Sequence, residues 1–175
     1  MTFGPMESVK KQYRVTLRLT KNLHELFFDE PEGKANMRFY GKVYKDGKFW
    51  LAEVPILEAM TQGHTRKEAF AMVEDLLATL ANRPGFSVKV HPGKHGDFEV
   101  SSVDTQGMIS LLLRRQRERS GLSLAEAAER LGAKSRNAYA RYERGTSMPT
   151  LEKLTELLQA VSPGQDIVLH HSVVV

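Results

Sequence analysis

Residues 121–145 read Gly121-Leu-Ser-Leu-Ala-Glu-Ala-Ala-Glu-Arg-Leu-Gly-Ala-Lys-Ser-Arg-Asn-Ala-Tyr-Ala-Arg-Tyr-Glu-Arg-Gly145, and this stretch decides the architecture. Ser123 and Glu126 stand at capping-box spacing, so a helix is predicted to start at Ser123 and to end at Leu131-Gly132. A second helix opens with Ser135 as its N-cap and closes at Gly145. Ala125, Ala127 and Ala128 are small enough to let the two helices cross closely around Gly132-Ala-Lys134.

The flanks continue the helical pattern. Upstream, Ile109, Leu112 and Leu113 predict a helix from about Met108 to Ser120, stopped by Gly121. Downstream, Pro149-Thr150 introduces a fourth helix with Leu151, Leu154, Leu157, Leu158 and Val161 inward. The β-branched tail, residues 162–175 with Ile167 to Val175 as its apolar part, reads as a strand; an apolar strand is not left as a bare edge, so it is a candidate dimer contact or packs back on its own subunit.

The first half changes period. Arg38-Phe-Tyr-Gly-Lys-Val-Tyr44 and Lys48-Phe-Trp-Leu-Ala-Glu-Val54 flank Asp46-Gly47, a type I′ hairpin signal. Thr65 and Glu68 cap a helix carrying Ala69, Phe70, Val73, Leu76, Leu77 and Leu80, which Arg83-Pro84-Gly85 stops. Strands at Phe86–Val90 and Asp97–Ser101 follow, giving ββαββ, and Ser101-Ser-Val-Asp-Thr-Gln-Gly107 reads as the linker to the helical half. The fold class is therefore α+β, a ββαββ unit over 37–104 followed by an all-α unit over 105–161. Residues 1–36 form an N-terminal extension with strand-like alternation from Tyr13 to Leu19. Glu32-Gly33 requires purine-rich codons shortly before Met37, which marks Met37 as an alternative start.

Composition narrows the chemistry. The 175 residues include no cysteine, which excludes disulfides, thiolate metal sites and thiol nucleophiles. No apolar run is long enough to span a bilayer, so a cytoplasmic protein without membrane association is expected. Residues 114–144 carry nine basic and four acidic residues, an excess of five positive charges in one helical stretch, whereas residues 1–104 are nearly balanced. A basic cluster of this kind is a footprint for phosphate.

The segments 121–132, Tyr139-Ala-Arg-Tyr-Glu-Arg-Gly145 and Pro149-Thr-Leu-Glu-Lys-Leu154 together resemble the Xre/Cro class of helix-turn-helix DNA-binding domains. The resemblance implies operator DNA as a partner, a homodimer or higher homo-oligomer, base contacts from Arg136, Asn137 and Arg141 within a DNA-binding set that also holds Lys134, Ser135 and Arg144, and a structural pair of Arg117 with Glu143. It places Tyr139 and Tyr142 toward the core. Leu124 departs from the family's glutamine, and the turn is one residue longer than usual. A helical bundle serving only dimerisation, with Arg136 and Arg141 as solvated charges, is the bland alternative.

Asp46-Gly-Lys-Phe-Trp-Leu-Ala-Glu-Val-Pro55 with Thr61-Gln-Gly-His-Thr-Arg-Lys-Glu-Ala69 resembles the HicB antitoxin domain. That resemblance implies a reduced ribonuclease H-like unit that neutralises a HicA-like mRNA-cleaving toxin by covering it, without cofactor or turnover. Glu53, Glu58, Glu74 and Asp75 are the candidate contacts for such a basic toxin. The expected function is an antitoxin of a type II system that also represses its own operon. The alternatives are an Xre-family regulator whose first half senses a ligand or protein, and a nuclease. The nuclease requires converging carboxylates, but Asp46, Glu53, Glu68 and Asp97 are scattered over turn, cap and strand ends, so no catalytic residue is assigned. His91 and His95 lack a third ligand nearby, His170 and His171 point to opposite faces of a strand, and no metal site is expected.

Overall fold

A computed structural model describes residues 37–165 and Val168. The strands are β1 (Arg38–Asp46), β2 (Phe49–Val54), β3 (Ala59–Gly63), β4 (Lys89–Pro92) and β5 (Asp97–Ser101). The helices are α1 (Arg66–Ala81), α2 (Thr105–Arg119), α3 (Leu124–Arg130), α4 (Asn137–Glu143) and α5 (Leu151–Val161). The strands form one antiparallel sheet in the order β3-β2-β1-β5-β4. The strands expected at 11–20 and in the tail lie outside the described residues.

Alternation builds the sheet. Phe39 and Val43 on β1, Ala52 and Val54 on β2, and Phe98 and Val100 on β5 are buried against α1, which contributes Ala69, Val73 and Leu77. The alternate residues Tyr40 and Tyr44 remain exposed on the opposite face. Asp46 pairs with Phe49, so the two loop residues are Gly47 and Lys48 rather than Asp46 and Gly47. Of these only Gly47 has a positive φ, +56°, which replaces the expected type I′ requirement for two such residues.

The first half is βββαββ, not ββαββ. Pro55–Leu57 forms a 3-10 turn, Glu58 takes a left-handed conformation at φ 47°, and the chain reverses to pair Val54 with Ala59 and Trp50 with Gly63. β3 escaped the hydrophobic pattern because its inward positions are Ala59, Thr61 and Gly63, small residues lying against α1. Phe86 and Val88 are buried but precede β4, which instead runs to Pro92 on the sheet's edge. The Glu74 carboxylate accepts from the Val90 amide at 2.8 Å, giving that edge strand a partner outside the sheet.

The cap of α1 follows the sequence with one variation. Thr65 Oγ1 accepts from the Glu68 amide at 3.1 Å, while the Glu68 carboxylate takes the amide of His64, the residue before the cap.

Ser101–Gly107 is not a free linker. Ser102 is buried and donates to the Ser87 carbonyl at 2.6 Å, and Asp104 caps α2 through the Gly107 amide at 2.8 Å. Asp104 also pairs with Arg83 at 2.9 Å, so α2 begins three residues before Met108. Polar, small residues read as flexible in sequence are here satisfied by Ser87 and Arg83 upstream and by the Gly107 amide within the segment itself.

Helix α2 belongs to two cores. Met108, Leu111 and Leu112 pack into the sheet core, whereas Ile109 and Leu113 join Ala127, Ala128, Tyr139, Tyr142, Leu154, Leu157 and Val161. A helix apolar around its circumference is a buried helix. Its C-terminal half is tied to the β2–β3 turn: Arg115 donates to the carbonyls of Leu57 and Glu58, and Gln116 to that of Ile56 at 2.6 Å. Leu151, expected inward, is 61% exposed; Ala160 is buried in α5 instead.

Candidate nucleic-acid interface

Helix α3 is closed at both ends by its own sequence. Ser123 Oγ accepts from the Glu126 amide at 3.2 Å, and the Glu126 carboxylate accepts from the Ser123 amide at 2.8 Å. Hydrogen bonding of the carboxylate by Ser123, first by its amide and then by its side chain, holds the Glu126 carboxyl below its ordinary range. At the other end the Gly132 amide returns to the Glu129 carbonyl and the Ala133 amide to that of Ala128. Buried Ala127 and Ala128 let α3 approach its neighbours.

Helix α4 is held differently. Its N-cap is Arg136, without a side-chain cap, rather than Ser135. Ser135 sits one residue earlier and accepts from the Asn137 amide at 3.3 Å, an ST-turn geometry. The helix is fixed by its inner face. Tyr139 is fully buried and donates to the Leu113 carbonyl at 3.0 Å, and burial pushes its phenol far above the ordinary range, so it stays neutral. Ser110 donates to the Tyr142 carbonyl at 3.0 Å.

Arg117 and Glu143 form a two-point ion pair, with Nε to Oε1 at 2.6 Å and Nη2 to Oε2 at 3.1 Å. Arg117 also donates to the Leu122 carbonyl at 2.8 Å, linking α2, the α2–α3 turn and α4. The hydrogen bonds to Glu143 raise the Arg117 pKa further. Both side chains are largely shielded, so this pair is structural and leaves no carboxylate oxygen for a ligand.

The outer face of α4 carries Asn137, Arg141 and Arg144 at helical spacing, all exposed, with Lys134, Ser135 and Arg136 exposed in the preceding turn. Arg141 lies over the Tyr142 ring at 4.8 Å and donates to its hydroxyl at 2.9 Å. Arg144 donates to Asn137 Oδ1 at 3.1 Å. These neutral partners orient the side chains without cancelling their charge. Arginine forks and an asparagine amide on an exposed short helix match the donor and acceptor pattern of guanine and adenine edges in a major groove.

The four acidic candidates do not form one surface. Glu58 pairs with Arg119 of α2 at 2.9 Å, and Glu74 serves the edge of β4. Glu53 lies on the open face of the sheet, and Asp75 is exposed on α1, across the sheet from it. The open face also presents Tyr40, Tyr44 and Met60; hairpin tyrosines are more often core residues, but these two are exposed. Tyr40 donates to Asp97 at 2.6 Å, and that hydrogen bond, with some desolvation, pushes its pKa up to about 12.

His91 Nε2 lies 2.7 Å from Ser101 Oγ, inside the sheet edge. Among the described residues no three His, Asp or Glu side chains gather as a metal site, and no helix is long and apolar enough to cross a membrane.

Comparison with known proteins bears on the same residues. No curated protein matches the sequence. A helix-turn-helix family model matches residues 113–161, from the middle of α2 to the end of α5, so the C-terminal part of this chain is a helix-turn-helix of the kind that DNA-binding transcriptional regulators use.

Proposed function

We propose that the chain is an antitoxin of a type II toxin–antitoxin system: its sheet half binds and covers a HicA-like mRNA-cleaving toxin, and α4 reads the operator of its own operon. The observation that carries the DNA-binding part is the exposed set Arg136, Asn137 and Arg141 on a helix fixed from within by Tyr139 and Glu143. The antitoxin part rests on the HicB-like hairpin and capped helix, now completed by β3 into a five-stranded sheet with one covered face. Neutralisation would be steric, by a rigid surface on the toxin's RNA-binding face. A dimer is part of the proposal, because repressors of this class read two half-sites about 34 to 36 Å apart.

The experiment is co-expression of the full chain with a HicA-like toxin, together with a reporter behind the chain's own upstream region. The wild-type chain should restore growth and silence the reporter. Arg136→Ala with Arg141→Ala should restore growth and leave the reporter on. A chain that silences the reporter yet neither restores growth nor binds the purified toxin is a regulator of another kind, and the antitoxin assignment then falls.

A further inference from the structure

We propose that the cleft walled by α2, the C-terminal end of α4 and the α1–β4 turn holds a backbone phosphate of the DNA that α4 reads, so that the sheet half contributes a DNA contact through Arg83. This rests on the reading of α4 as the DNA-facing helix. The cleft has a volume of about 460 Å³, and three arginines line it: Arg83 from the α1–β4 turn, Arg114 on α2 and Arg144 at the end of α4.

The acids nearby are spent. Glu143 reaches the cleft wall, but both its oxygens are held by Arg117. Asp104 takes the Nε of Arg83 and the cap of α2, while the Nη1 of Arg83 lies beside Gly145 at the end of α4. Arg114 has no hydrogen bond or ion pair among the described residues, and Arg144 donates only to the neutral Asn137 amide. The cleft therefore keeps an excess of positive charge in a concave site, where low-dielectric walls concentrate the field.

Gly145 is part of the construction. It has φ +63°, and a Cβ placed there would stand 2.3 Å from Arg83 Nη1. Absence of a side chain at 145 is what lets the Arg83 guanidinium lie across the end of α4. The site is also continuous with the reading face, because Arg144 lines the cleft while its guanidinium touches Asn137. Guanidinium forks suit phosphate oxygens, and a duplex seated on Asn137 and Arg141 brings a phosphate strand along this edge.

The test is the salt dependence of binding by the full chain to two duplexes, one from the region upstream of its own coding sequence and one of scrambled sequence. Arg114→Gln should weaken binding to both by the same factor and make the slope of log K against log salt shallower by about 0.9. Arg83→Gln combined with Arg114→Gln should roughly double that change. Arg114→Lys, which keeps the charge, should retain the slope and serves as the control for folding. An unchanged slope and affinity in Arg114→Gln, with wild-type binding intact, overturns the assignment of the cleft alone. A wild-type chain that binds neither duplex overturns the DNA reading and the cleft with it. Inorganic phosphate provides the other arm: saturable calorimetric binding without DNA, lost in Arg114→Gln while the DNA slope stays the same, makes this a small-anion site and refutes the proposal.

Discussion

Helices α3 and α4 have the same length, seven residues each, and opposite means of support. Helix α3 carries a complete capping box and turns back on itself at Gly132, so its ends are satisfied by residues of its own neighbourhood. Helix α4 has no side-chain cap; it is held by Leu113, Ser110 and Arg117, all on α2 and 26 to 32 positions away. Isolated helices of this length are unstable in water, so each needs external support. Supporting α4 from its inner face leaves Asn137, Arg141 and Arg144 exposed on its outer face.

The largest expected effect tests the distant support. Glu143→Ala leaves the shielded Arg117 guanidinium without its partner and should destabilise the protein by about 3 kcal/mol or more, with loss of DNA binding. Urea unfolding measures it; a loss below about 1 kcal/mol would mean that α4 is held by something other than this pair.

Local support is worth less. Ser123→Ala removes one half of the capping box and should lower stability by about 1 kcal/mol while leaving sequence preference intact. Ser135→Ala removes only a longer bond to the Asn137 amide, outside the cap position, and should change the unfolding free energy by less than about 0.5 kcal/mol. Equal losses at Ser123 and Ser135 would erase the contrast between the two helices.

The smallest effect is in pH. Folding lowers the Glu126 pKa, so the unfolded chain binds that proton more readily and the carboxylate's contribution is present above its unfolded range. It is lost as pH falls through the folded value. Glu126→Gln should therefore narrow the difference in stability between neutral and mildly acidic solution, read from unfolding midpoints at each pH.

Legibility in the sequence follows the same division. The capped ends of α1, α3 and α5 could be read because each depends on residues three or four apart. Strand β3 could not, since its inward residues Ala59, Thr61 and Gly63 are chosen for the closeness of α1 and carry no apolar signal. Leu151 shows the converse, an apolar residue at helical spacing that stays exposed, because α5 turns Leu154, Leu157 and Val161 inward instead. On α4, the motif singled out Arg136, Asn137 and Arg141, and all three are exposed. Arg83 and Arg114 carried no motif; they meet only because the α1–β4 turn folds against the end of α4.

The double packing of α2 limits how this chain can be recombined. A helix-turn-helix of fully independent origin would travel between proteins as a cassette, joined by any soluble tether. Here, cutting before Thr105 exposes Met108, Leu111 and Leu112, while cutting after Arg119 strips the four-helix unit of Ile109 and Leu113. Either fragment would carry an adhesive apolar stripe. The sheet half is in effect the chaperone of the first reading-unit helix, and an ancestor could exchange its front half only for one that offered α2 a matching bed.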